Sequence, residues 1–283
     1  MSQLIPYLPS IVVFGYEVPT MPILTVVCTI SYFLITVIET RRLKLSLQIS
    51  IFIALATLIL YNIFGRLLFV LSHIFLHQDF AYQNKILWVY TNQKIAFGFL
   101  IAQFLAILLG TYLYQNRYNL KKYFDIFILA QLSLFFIRLG GALMQYPIGK
   151  ITDSSFWGFH YWRYDRHNPA LYEAFSLFLI FIIALWLRKR IKVEGLLALI
   201  ILAWISLSRV ITDFFRSKDL PLKSFSDPKF DGADTSSNFH FENGLALNQI
   251  VYAVLFLTAI TLAVKLIRKE KSFLVRKTPK LCE

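Results

Sequence analysis

Three arginines interrupt long apolar runs, and this limits what the chain can fold into. Arg66 lies in YNIFGRLLFVL, Arg138 in LSLFFIRLGGALM and Arg209 in WISLSRVITDFF. Seven runs are apolar enough to cross a bilayer: Pro22–Ile38, Leu47–Leu71, Ile95–Tyr114, Phe124–Met144, Leu171–Leu187, Gly195–Phe215 and Leu245–Ile267. Each reaches about 17 residues or more, the lower limit for a helix through about 30 Å of hydrocarbon. No run alternates apolar and polar residues with period two, which argues against a membrane barrel. An arginine at membrane depth costs about 2.5–3.5 kcal/mol on insertion scales, so it faces a protein interior or a polar cavity and marks function.

Composition supports the membrane assignment. Hydrophobic residues make up 57 % of the 283, charged residues 16 %, and mean hydropathy is +0.60; a soluble domain carries about 25 % charge. The net charge of +13 would suggest nucleic acid in a soluble protein. Here its distribution follows the positive-inside rule. Arg41, Arg42 and Lys44 follow the first run, and Arg117, Lys121 and Lys122 follow the third. Arg188, Lys189, Arg190 and Lys192 follow the fifth, and a basic tail from Lys265 to Lys280 follows the seventh. The expected protein is therefore all-α: one polytopic membrane domain over residues 1–283, about seven spans, N-terminus outside and C-terminus cytoplasmic. The first run reads as an uncleaved anchor. Cys28 and Cys282 have neither metal nor disulfide spacing. His73 and His77 stand four apart, but no further ligand supports a metal.

In that orientation Arg66, Arg138 and Arg209 all fall in the outer halves of even-numbered spans. Convergence would build a pocket of high positive potential beneath the outer headgroups. A guanidinium meets two phosphate oxygens at once and stays charged, so an anionic phospholipid is the expected ligand. Asp213 follows Arg209 by four residues and shares its helix face. Two roles are open to it: a counter-ion that orients Arg209, or a proton acceptor. Glu173 stands in the first turn of a helix opened by Pro169, where the helix dipole favours a carboxylate. The outer connections 145–170 and 216–244 are long and rich in aromatic, Asp, Ser and Gly residues. The first holds FWGFHYWRY, suited to the headgroup level.

Several of these segments, in order along the chain, resemble prolipoprotein diacylglyceryl transferases. RLGGALMQYPIG, from Arg138 to Gly149, is similar to the family's GRIGNFxNxExxG segment, and RHNPALYE, from Arg166 to Glu173, to its RHPSQLYE. RVITDFFR, from Arg209 to Arg216, resembles RxxxExxR, with Asp213 in place of Glu. Gly65-Arg66 resembles a second-helix GAR, and Asn248-Gln249 a GQ before the last helix. There are departures: Phe97 in FGFLIA stands where the family has a histidine, Gly141 where it has Asn, and Tyr146 where it has Glu, while the first-helix tyrosine has no counterpart near Met21 or Pro22.

The resemblance implies a bacterial inner-membrane enzyme without metal or cofactor. It would move diacylglyceryl from phosphatidylglycerol to the lipobox cysteine of a prolipoprotein. Carried over by motif, the catalytic residues are Arg138, Arg209, Asp213 and Tyr146, with Asp213 and then Tyr146 as candidate bases. Lipid contacts fall to Arg66, Arg138, Arg209, Arg166, Tyr172, Glu173 and Gln249. Phe97 keeps open a lipid-binding relative without turnover, and the altered loop after Arg138 a different donor or acceptor.

Overall fold

The computed structural model describes residues 10–13, 16–77, 97–144, 149–150, 152, 158–161, 164–216 and 247–277. Within these ranges the side chains of Arg66, Phe97 and Asn248, among others, lie outside the described set, as does all of Tyr146.

Where they are described, the apolar runs are helical. In hydrocarbon the backbone must satisfy its own hydrogen bonds, and a helix does so within one segment. The order is α1 (Thr20–Arg42), α2 (Leu47–His77), α3 (Phe97–Leu113), α4 (Leu120–Ala130), α5 (Phe135–Leu143), α6 (Pro169–Leu187), α7 (Leu196–Asp213) and α8 (Leu247–Lys277). Six spans among the described residues are long and apolar enough to cross a membrane, and α3 is a shorter apolar helix. Two antiparallel hairpins sit outside the bundle: β1 (Ser10–Val13) with β2 (Tyr16–Pro19), and β3 (Gly158–Tyr161) with β4 (Tyr164–His167). Both lie in segments that the apolar periodicity leaves unassigned.

The fourth span is the centre of the bundle. Its hydrophobic stretch is 61 % buried, against 11 % for that of α8. Tyr123, Ile126 and Phe127 pack with Ile53 of α2 and Ile107 of α3 in one apolar core. Ile128, Leu129 and Leu132 pack with Ile180 of α6 and Ile201 of α7 in a second. A 3₁₀ segment, Gln131–Leu134, joins α4 to α5. Its three residues per turn, against 3.6, rotate α5 by about 80° over four residues, which changes the face that Arg138 presents.

Glycine sets the α2–α3 contact. A Cβ on Gly98 would lie 2.6 Å from the Cα of Gly65, and one on Gly110 would lie 2.4 Å from Cγ1 of Ile53. Small residues of this kind let membrane helices approach backbone to backbone.

At one end the basic turns meet. Glu39 is buried between Arg42 (2.7 Å) and Arg188. Asp125 of α4 caps α7 from outside, accepting from the N–H of Gly195 (2.7 Å) and of Ala198 (2.8 Å). Gly195 takes φ 82° at that junction, a left-handed conformation cheap only for glycine.

Candidate anion site at the arginine cluster

The other end of the bundle is organised by RHNPALYE, in which most residues have an assigned task. Arg166 Nη1 donates to the carbonyl of Gly149 (3.1 Å). The His167 ring bonds the Tyr172 hydroxyl at 2.8 Å, and both rings pack on Phe215. Asn168 accepts from Leu171 N–H as the cap of α6 (3.1 Å) and donates to the Ala142 carbonyl at the end of α5 (3.0 Å). Pro169 follows at the first helical position, where its missing N–H costs nothing. Lys150 ties the end of α7 to this turn: its N–H donates to the Phe215 carbonyl (2.8 Å) and its carbonyl accepts from His167 N–H (2.9 Å). A Cβ on Gly149 would lie 2.3 Å from the His167 carbonyl oxygen, so that position admits only glycine. Burial, with Lys150 nearby, holds the His167 imidazole below the ordinary histidine range, and therefore neutral at pH 7.

This frame places Glu173 one turn into α6, 3 % exposed, amid guanidiniums from two other helices and the residue that ends the α7 turn. Arg138 Nε of α5 lies 2.8 Å from its Oε2. Arg209 Nη1 of α7 and Arg216 Nη2 each lie 2.8 Å from its Oε1. Thr212 donates to the same oxygen at 3.4 Å. Asp213 pairs with Arg216 Nε at 3.0 Å, three residues on. The direct carboxylate partner of Arg209 is thus Glu173, not the Asp213 that shares its helix face. A helix-start carboxylate has become the hub of the site.

Three guanidiniums against two carboxylates leave one surplus positive charge among the described residues. It is not evenly accessible: the side chain of Arg138 is 22 % exposed, that of Arg209 14 % and that of Arg216 6 %. Arg138 therefore forms the open edge of the cluster, while Arg216 is locked inside. Tyr252 of α8 lies beneath Arg209, 5.9 Å from guanidinium carbon to ring centroid, and Tyr61 of α2 is near enough to feel both Arg138 and Arg209. Gln249, one turn before Tyr252, is buried. Among the residues expected at the site, Arg138, Arg209, Glu173 and Asp213 come together here. Tyr172 and Arg166 lie in the supporting turn, and the side chain of Arg66 and all of Tyr146 fall outside the described residues. Arg216, Tyr252 and Tyr61 are additions. Arg216 closes the RVITDFFR segment and is buried, but a residue that opens a polar connection carries no mark of burial in the sequence. Nothing in the sequence distinguishes the two tyrosines.

Fold and site together define a multi-pass helical membrane protein with a buried cluster of arginines and carboxylates, of which Arg138 is the most exposed arginine. The family model of prolipoprotein diacylglyceryl transferase matches residues 10–270, a stretch that contains every residue of the cluster, and the chain belongs to that family. Similar proteins are the phosphatidylglycerol–prolipoprotein diacylglyceryl transferases of Campylobacter lari (34 % identical over 124 residues, 43 % of each chain) and Aliarcobacter butzleri (34 % over 129 residues, 44 % of each). That of Campylobacter hominis is 29 % identical over 177 residues, 62 % of this chain and 55 % of its own. The chain spans about half the length of the curated relatives it matches.

Proposed function

We propose that this protein transfers the diacylglyceryl group of phosphatidylglycerol to the lipobox cysteine of a prolipoprotein. The surplus positive charge at the Glu173 hub, with Arg138 as its open edge, carries this reading, and family membership supports it. The bundle takes seven spans in the bacterial inner membrane, N-terminus outside, with the arginine end toward the outer leaflet. That orientation rests on the clustering of basic turns at the opposite end.

In the reaction the cysteine thiol loses its proton, and the thiolate attacks the glyceryl carbon that bears the phosphate ester. A C–S bond forms, the C–O bond breaks, and glycerol 1-phosphate leaves with the electron pair on its phosphate oxygen. Arg138 and Arg209 hold the phosphate and stabilise the charge that grows on it. Arg216 and Glu173 hold those two guanidiniums in place, and Arg66 is a further phosphate ligand on the strength of its family motif alone. Asp213 accepts the thiol proton, with Tyr146 as the alternative; a thiol of ordinary pKa, about 8.5, needs such an acceptor. Arg166, Tyr172 and Gln249 line the approach of the lipid.

Complementation of a bacterium depleted of its own transferase tests this. The parent chain restores growth and lipoprotein maturation, and Arg138→Ala, produced at the same level in the membrane, does not. Phe97, in place of the family's histidine, favours a second reading, in which the cluster binds phosphatidylglycerol without turning it over. Failure of the folded parent to complement, with lipid retained on purification, would select it.

A further inference from the structure

A trough of about 530 Å³, within the range of sites that bury small ligands, runs between α3, α4, α7 and α8. Its walls are almost wholly apolar: Leu100 and Phe104 of α3, Ile128 of α4, Leu202 of α7, and Leu255 and Leu262 of α8. Leu255, Leu262 and Leu266 stand seven and four residues apart, on one helix face. From Leu255 to Leu266 the trough follows α8 for about 16 Å, the depth of one leaflet's hydrocarbon.

The charge at its ends is unequal. Lys121 and Gly195 line the end near the basic turns, and Lys269 continues the leucine face of α8 one turn further. The nearby acids are already engaged. Asp125 is held by the N–H groups of Gly195 and Ala198, and Glu194 by Lys122 at 3.4 Å. Lys121 has no carboxylate partner among the described residues. At the far end Leu255 lies three residues from Tyr252, so the trough stops about one turn short of the arginine cluster.

We propose that this trough seats one acyl chain of an anionic phospholipid whose phosphate lies at Lys121, in the leaflet opposite the arginine cluster. An apolar slot one leaflet deep that ends at a cation fits such a lipid. A zwitterionic lipid gains nothing from the lysine, because its phosphate charge is offset within its own headgroup. A basic residue near the surface contributes enough to favour an anionic lipid several-fold. The inference rests on the bundle spanning a bilayer, and is independent of the transfer reaction.

The test counts lipids retained after purification. The protein is reconstituted in vesicles of phosphatidylglycerol and phosphatidylcholine in equal parts, extracted mildly, and weighed by native mass spectrometry. Arg138→Ala is measured beside the parent, so that a lipid held at the arginine cluster is not counted. Both should retain a phosphatidylglycerol. Lys121→Glu in the Arg138→Ala background should lower that retention by roughly tenfold, and Lys121→Glu alone should leave diacylglyceryl transfer unchanged. Leu202→Trp, which narrows the trough midway, should lower retention of the lipid whatever its headgroup. Should that variant not fold, exposed Lys121 still decides the matter. Retention that survives Lys121→Glu, or equal retention of phosphatidylcholine, overturns the proposal. Loss on Arg138→Ala alone would assign the trough to the tail of a lipid held at the arginine cluster and overturn it as well.

Discussion

Glu173→Gln should separate what holds the arginine cluster together from what the cluster does. The substitution keeps side-chain size and removes one negative charge at a position 3 % exposed, where three guanidiniums stand at 2.8 Å. The local balance goes from one surplus positive charge to two, with Asp213 alone to offset Arg138, Arg209 and Arg216. Removing one partner of a buried ion pair costs about 3–5 kcal/mol, because the remaining charges stay desolvated and unpaired. That is on the order of 10²–10⁴ in the folded-to-unfolded ratio, a large part of a typical stability of 5–15 kcal/mol. Arg138→Ala should behave differently. It removes the most exposed member, leaves Glu173 with two arginines, and restores charge neutrality. The assay is unfolding in detergent micelles of a Cys282→Ser chain, followed by the accessibility of buried Cys28 to a thiol reagent. Glu173→Gln should expose Cys28 at a markedly lower temperature, while Arg138→Ala stays close to the parent yet loses transfer. Equal stability of Glu173→Gln and the parent would refute the hub.

Other perturbations have definite signs. Gly98→Leu forces α2 and α3 apart where a Cβ already falls 2.6 Å from backbone, and should cost at least the 1–3 kcal/mol typical of overpacking, read in the same unfolding assay. Asp125→Ala removes the cap of α7 at two N–H groups and should cost about 1–2 kcal/mol, with transfer intact in whatever remains folded. His167 is held neutral in the folded state. The unfolded chain therefore takes up its proton first as pH falls, and stability should decline as pH drops through the ordinary histidine pKa of about 6.5. His167→Gln should flatten that profile, and a profile unchanged by the substitution would contradict the assignment.

The helices were legible because hydrocarbon leaves the backbone little choice; each apolar run from Pro22 to Ile267 is helical where described. The convergence of Arg138 and Arg209 was legible for a related reason, since their cost at membrane depth demands a partner. The identity of that partner was not. Helical periodicity relates residues three or four apart, so it paired Arg209 with Asp213. The bond that forms instead crosses 36 residues, from α7 to α6. Glu39 with Arg188 crosses 149 residues, and Asp125 with Gly195 crosses 70. Pairings of this kind depend on which helices are neighbours, which apolar patterning does not specify. The hairpin of β3 and β4 and the 3₁₀ turn before Arg138 were not legible because both sit where patterning is short or mixed.

The most direct measurement is made on the purified protein in phosphatidylglycerol vesicles with a lipobox peptide. The account predicts glycerol phosphate release in step with a gain of one diacylglyceryl mass on the peptide thiol, both abolished in folded Arg138→Ala. Release that continues undiminished in that variant, or none from the folded parent, would contradict it.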